Sequence, residues 1–251
     1  TSNFSVKSKN VKCTEEYIYS RYSYDSSEVT TLENGEMQVC PRRREYVFRT
    51  KKRVGRTGVL LVGIGGNNGT TVVSSIYANK ENLTWETRRG MQKANYFGSI
   101  THAGTTFLGV NQKTNEEVFV PLRTLVPMLH GNDIIVDGWD INDMTLDEAV
   151  SRAQVFPSTL QSKLKPYLKK LGKPMKSIYY PDFIASNQMD RANNVLPGGD
   201  TCCKEHLTQL RKDIRNFKSK HQLDTVIVLW TANTERYCKV LRGCMTPKKI
   251  Y

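Results

Sequence analysis

A chain of 251 residues with 37 Lys and Arg against 24 Asp and Glu has a net charge of +13 and room for one large domain or two small ones. Its 38% hydrophobic and 24% charged residues suit a soluble globular protein, and no apolar run approaches the length that crosses a bilayer. The six cysteines show no C-x-x-C spacing and no paired histidines, which argues against a metal site or a disulfide framework. Reduced thiols in a cytoplasmic protein are the expectation.

In chain order, the opening TSNFSVKSKN lacks the apolar core of a signal peptide, and a start at Thr1 rather than Met reads as a processed chain or a fragment. Residues 1–57 are polar and rich in tyrosine. They carry a hairpin-like turn at Glu33-Asn34-Gly35-Glu36 and a strand-like Tyr46–Thr50, and read as an extended arm that packs on the main domain. The densest basic run, Arg42-Arg43-Arg44 to Lys51-Lys52-Arg53, has no zinc-finger spacing or aromatic RNA-binding signature beside it. It reads as a solvated face that attracts phosphorylated small molecules, with no nucleic-acid role.

The main domain, residues 58–237, starts with Val59-Leu60-Leu61-Val62, then Gly63-Ile64-Gly65-Gly66-Asn67-Asn68-Gly69-Thr70-Thr71 and a helix-compatible Val72–Ala78. Strand, tight glycine turn and helix in that order aim backbone N–H groups at a phosphate. The alternative is a purely structural turn. No Gly-Lys-Ser/Thr makes it a P-loop, and Asn68 stands where the third glycine of G-x-G-x-x-G would be.

Two further apolar runs, Ile134–Val136 and Val226–Leu229, close in Asp137-Gly138-Trp139-Asp140 and Trp230–Thr234. Their lack of alternation predicts parallel strands buried on both faces. Between them, Thr145-Leu146-Asp147-Glu148 is a capping box, Leu160–Leu171 is helical with Pro166 expected to break or kink it, and Cys203, Leu207, Leu210, Ile214 and Phe217 form an amphipathic core stripe. The alternation predicts an α/β fold, a Rossmann-like, doubly wound, mostly parallel sheet.

Ligands of such sheets bind outside the carboxyl ends of the strands, so the three corners should share one edge. Asp140 is either a ribose acceptor or a turn residue, and fits a ribose better than Glu81 or Glu86, which follow no buried strand. Thr231–Arg236 either lines a cofactor site or starts a helix. Arg191 pairs with a phosphate or with a surface carboxylate. His102, His130, His206 and His221 stand in no catalytic or metal spacing and read as structural or solvated, and Trp85 as packing.

Taken together, the GGNNGTT block, Asn95–Ser99, Gly138–Met144, Tyr180–Ala185, Asn187-Gln188 and Trp230-TANTERY resemble, in order, the myo-inositol-1-phosphate synthase family. The resemblance runs from about Tyr46 to Tyr237. It implies an isomerase that converts glucose 6-phosphate to 1D-myo-inositol 3-phosphate with NAD regenerated at each turnover, by oxidation at C5, aldol closure from C6 onto C1 and reduction. A homotetramer is implied as well.

Residue by residue, the resemblance places Gly65, Gly66, Asn67 and Asn68 on the pyrophosphate and Asp140 on the adenosine ribose. Ser177, Ile178, Gln188 and Arg191 bound the adenosine side, and Thr231, Ala232, Asn233 and Thr234 stand nearer the nicotinamide. Ile64 replaces a commoner Trp or Leu, and His102 a usual Gln. Residues 238–251 leave the pattern and read as a divergent tail of a truncated chain. Family members continue past this point with the rest of the sheet, the tetramer-forming region and the catalytic lysines, so no catalytic residue is assigned here. The chain then carries the NAD-binding part, with an incomplete sheet. Alternatively it is a non-catalytic short form that binds NAD or a full-length subunit.

Overall fold

The computed structural model describes residues 5–236. In chain order they form β1 (Val11–Cys13), β2 (Tyr17–Thr31), β3 (Met37–Lys51), β4 (Thr57–Val62), α1 (Asn67–Lys80), β5 (Thr84–Thr87), β6 (Gly90–Lys93), α2 (Ile100–Ala103), β7 (Thr105–Val110) and β8 (Glu117–Pro121). There follow β9 (Ile135–Asp140), α3 (Leu146–Ala153), α4 (Ser158–Leu171), β10 (Met175–Lys176), α5 (Cys203–Lys220) and β11 (Thr225–Trp230). The chain divides into two compact units, Thr1–Val54 with Tyr96–Leu129, and Gly55–Asn95 with His130–Tyr251. Residues 96–129, expected inside a continuous domain from 58 to 237, thus group with the N-terminal segment.

In the first unit β2 and β3 pair antiparallel from Tyr17↔Lys51 to Thr31↔Met37, and β1 adds to β2. The Asn34-Gly35 turn closes this hairpin as expected, with Gly35 in the left-handed region. Tyr46 stacks between Tyr22 and Phe48 on one face of the hairpin. The basic run lies on β3, where Arg42 and Arg44 reach Glu28, and Arg43 reaches Asp25, across the ladder. These pairs are exposed, so they set register and solubility more than stability. A second hairpin, β7–β8, joins Phe107 edge-to-face with Phe119.

The second unit is built on a sheet of order β10-β9-β4-β11, parallel throughout. Adjacent side chains of β4 point to opposite faces, so Leu61 and Leu60 each seed a core. Leu61 and Val136 pack with Val73 and Ile76 of α1, Leu146 and Val150 of α3, and Leu160, Leu164 and Leu168 of α4. Leu60 and Trp139 pack with Phe217 of α5 and with Leu223. Helices therefore cover both faces, as a doubly wound sheet requires. Asp224 leads into β11 and accepts a hydrogen bond from the Arg56 amide at 2.8 Å, which sets β11 beside β4.

Three sequence expectations change. Pro166 does not interrupt α4, because it lies on the exposed side while Leu160, Leu164 and Leu168 anchor the opposite face. The apolar stripe of α5 is only partly buried: Leu207 is 47% exposed, while His206 and Phe217 are covered. Finally β11 is not buried on both faces. It is the outer strand of this sheet, and Ile227, Val228, Leu229 and Trp230 are 44–64% exposed.

The approach of α1 to β4 depends on Gly69. A Cβ there would lie 2.5 Å from the carbonyl oxygens of Gly63 and Ile64, with only main chain to yield. The close-packing role of a third glycine in G-x-G-x-x-G thus falls on Gly69, one residue beyond Asn68. Gly69→Ala is expected to cost about 1–3 kcal/mol in chemical denaturation, the range for overpacking a tight contact; unchanged stability would place α1 farther from the sheet.

Candidate functional site

Strands β9, β4 and β11 end at one level, where Val62 pairs with Trp139 on one side and Trp230 on the other. The chain leaves β4 through Gly63, whose φ of +83° favours glycine. Both neighbours hold this corner. The Gly63 and Ile64 amides donate to the Trp139 carbonyl at 2.8 and 3.2 Å, and the Thr231 amide and hydroxyl donate to the Val62 carbonyl at 3.0 and 2.8 Å.

The helix α1 starts immediately afterwards. Its N-cap, Gly66, supplies no side-chain acceptor, and no acidic residue stands in the first turn. The first intrahelical bond is from the Thr70 amide to the Gly66 carbonyl. The amides of Asn67, Asn68 and Gly69 are therefore the helix-start donors, facing along a dipole that favours an anion. A Cβ on Gly66 would meet only the Gly63 carbonyl oxygen, at 3.2 Å, so the space above Gly66 is kept open by the missing side chain. These features fit a dinucleotide pyrophosphate.

A cavity of about 550 Å³ opens at this edge. Of the sequence candidates, Gly66, Asp140, Ser177, Ile178, Gln188 and Arg191 line it, as do Ala232, Asn233 and Thr234. The other candidates are not part of the lining, and Asn67 and Asn68 are exposed at the start of α1. Gly65 is buried under the turn, and Thr231 stitches β11 to β4. The Asn68 amide group donates to the Thr231 carbonyl at 3.3 Å, and the Asn67 carbonyl accepts from the Thr70 and Thr71 hydroxyls. Trp139, Ile178, Phe183, Ile184 and Ile214 give the cavity a largely apolar wall with few polar groups, the usual make-up of a cofactor pocket.

Asp140 ends β9 and is 8% exposed. One carboxylate oxygen accepts from the Gly65 amide at 2.8 Å and the other from the Asn142 amide at 3.0 Å. It is thus a turn residue, and it also faces the cavity with acceptor capacity to spare. Burial raises its pKa from the ordinary carboxylate value, and the bonds from Asn142 and Gly65 and the Arg191 charge oppose that rise only in part. Arg191 donates to the Gln188 side chain at 3.2 Å, so these two form one polar wall. Asn194 braces the corner from behind, donating to the Asp140 and Pro174 carbonyls at 3.1 and 3.2 Å.

Sequence reasoning left out Tyr180 as a site residue, although the cavity includes it. Buried His206 holds it. His206 Nε2 faces the Pro197 carbonyl at 2.8 Å, which only accepts, so this nitrogen carries a proton; in the neutral ring Nδ1 then accepts from the Tyr180 hydroxyl at 2.9 Å. Arg152 was also unmarked, and its Nη2 donates to the Gly65 carbonyl at 2.6 Å. A backbone carbonyl of the glycine turn and a tyrosine hydroxyl, each held by a side chain distant in sequence, leave no trace in local spacing.

This fold and this edge define a dinucleotide-binding α/β domain. A family model for the NAD-binding domain of myo-inositol-1-phosphate synthase matches residues 57–250, a span that includes residues 238–250. The chain belongs to the myo-inositol-1-phosphate synthase family, whose cofactor is NAD. It is 48% identical over 241 residues to inositol-3-phosphate synthase of Dictyostelium discoideum, covering 96% of this chain and 46% of that protein. It is 48% identical over 238 residues to inositol-3-phosphate synthase 1 of Mus musculus, covering 95% and 42%. The crystal structure of inositol-3-phosphate synthase from Caenorhabditis elegans superposes with a TM-score of 0.85 at 50% identity, over 95% of this chain and 46% of that one. The chain therefore spans about half the length of the relatives it matches.

A raised pKa means that the folded state holds the Asp140 proton more tightly than the unfolded chain, so ionising this group weakens the fold as pH rises. Relative to wild type, Asp140→Asn is expected to gain in Tm as pH climbs from about 4, the unfolded carboxylate range, through the raised value, and then to level off. A difference in Tm that does not change with pH would mean that the carboxylate is not held against burial.

Proposed function

We propose that this chain is the NAD-binding part of an inositol-3-phosphate synthase, acting on glucose 6-phosphate. The observation that carries the reading is the open space over Gly66 at the start of α1, beside an ionisable Asp140, in a cavity of about 550 Å³. In this reading the amides of Asn67, Asn68 and Gly69 hold the pyrophosphate, Gly66 leaves it room by lacking a side chain, and Gly65 shapes the turn beneath it. Asp140 accepts the adenosine ribose hydroxyls, while Ser177, Ile178, Gln188 and Arg191 bound the adenosine side. Ala232, Asn233 and Thr234, set by the Thr231 stitch, border the nicotinamide end.

Bound NAD supplies hydride abstraction and return. The chain's residues supply position, a largely apolar wall that excludes water, and fixed dipoles at the phosphates. The whole family reaction, a cytoplasmic setting, a homotetrameric assembly and a place in phospholipid-precursor supply extend the proposal. Among the described residues the cavity lining contains the cations Arg191 and Arg236 and no lysine. The cations that stabilise the enolate would thus come from elsewhere in a full-length relative.

Gly66→Val is expected to abolish NAD binding in calorimetry while the domain stays folded, because its Cβ meets one carbonyl only. Asp140→Ala is expected to weaken NAD by about 1–3 kcal/mol. Undiminished affinity in both variants would reduce the corner to a structural turn.

The exposed apolar side chains of β11 favour a second reading, a non-catalytic chain that associates with a full-length subunit. On either reading, purified chain incubated with glucose 6-phosphate and NAD is expected to form no inositol phosphate. Sustained turnover, with no full-length enzyme detectable by mass spectrometry, would show a complete active site within these residues.

A further inference from the structure

Gly65 is held at both of its main-chain groups by side chains of opposite charge. Its amide donates to Asp140 Oδ2 at 2.8 Å, and its carbonyl accepts from Arg152 Nη2 at 2.6 Å. The two side chains come from different elements, the end of β9 and the last turn of α3. Both bonds are charge-assisted, the stronger kind. Without them a Gly65-Gly66 pair would have wide freedom, because neither residue has a Cβ to restrict its backbone.

We propose that Arg152 is a positioning residue for the dinucleotide, acting through Gly65; this rests on the cofactor reading given above. Holding the Gly65 carbonyl fixes the peptide plane it shares with the Gly66 amide, which donates to the Gly63 carbonyl at 3.0 Å. The turn is thereby set in one shape before ligand arrives, and the ordering cost of binding falls. The same bond occupies a carbonyl oxygen whose partial negative charge would oppose a phosphate.

The charge of Arg152 adds a second effect. Its Nε is buried with no hydrogen-bond partner, and no carboxylate forms an ion pair with it among the described residues. A half-buried cation with no ion-pair partner favours an anion beside the turn. Asp140, bonded to the amide of the same glycine, offsets this charge only in part, because the two side chains meet Gly65 at opposite groups and form no ion pair with each other. Arg152 therefore both shapes the glycine turn and biases it toward the anionic part of the cofactor, while the parts without phosphate gain nothing from it.

The test compares wild type, Arg152→Met and Arg152→Lys as the 251-residue chain. NAD and ADP-ribose are titrated by calorimetry, and adenosine by ligand-observed NMR at millimolar concentration. Arg152→Met is expected to lose about 10- to 100-fold in affinity for NAD and ADP-ribose, the range for one hydrogen bond to a charged group, with adenosine unchanged. Arg152→Lys keeps a cation and should recover part of the loss. Methylguanidinium should restore part of the NAD affinity of an Arg152→Ala chain. NAD affinity within twofold of wild type in Arg152→Met overturns the proposal. So does an equal loss for adenosine and NAD, or a chain too unfolded to bind either, since both leave Arg152 as a support of the fold alone. Wild type that binds no NAD overturns the cofactor reading, and this proposal with it, and is seen before any variant is made.

Discussion

The level ending of three parallel strands is the constraint on which everything else here depends. The ladders that pair Val62 with Trp139 and with Trp230 bring Gly63, Asp140 and Thr231 to one edge, although they come from distant parts of the chain. Because β4 is central, the turn after it is hydrogen-bonded on both sides, to the Trp139 carbonyl and from the Thr231 amide and hydroxyl. A glycine turn left to itself is floppy; this one is fixed by its neighbours. That rigidity lets a helix start, which is only a set of unpaired amides, act as a shaped anion site.

The same geometry explains why Asp140 serves two ends. Its carboxylate closes the corner by accepting from Gly65 and Asn142, and it faces the cavity. Burial raises its pKa from the ordinary carboxylate value, so the ionised group is costly to leave without donors and gains from accepting the hydrogen bonds of a bound hydroxyl. The apolar walls around it, from Trp139 to Ile214, raise the strength of each polar contact by excluding water.

Much of this was legible in the sequence where a residue's role is local. Val59–Val62, Ile134–Val136 and Val226–Leu229 name themselves as strands because an unalternating apolar run has few other uses in a covered parallel sheet. Thr145–Glu148 announces a helix start, and Asn34-Gly35 a hairpin. What escaped depends on contacts across the fold. The long β2 strand, full of Ser and Tyr, has no apolar face to betray it. Whether Pro166 breaks a helix depends on which side of α4 is packed, and whether β11 is covered depends on what lies beyond it in the sheet. Gly69, Arg152 and His206 matter through carbonyls or hydroxyls of residues far away, or through the closeness of a crossing element, which no spacing rule reports.

The central claim is that the amides at the start of α1 hold the NAD pyrophosphate. Amide hydrogen exchange of the chain, resolved to single residues by NMR, tests it directly with and without saturating NAD. The account predicts that exchange at Asn67, Asn68 and Gly69 slows at least about tenfold with NAD, the minimum expected when one hydrogen bond to a charged group replaces water, and does not slow with adenosine. Bound NAD that leaves those three amides exchanging at the ligand-free rate would contradict it.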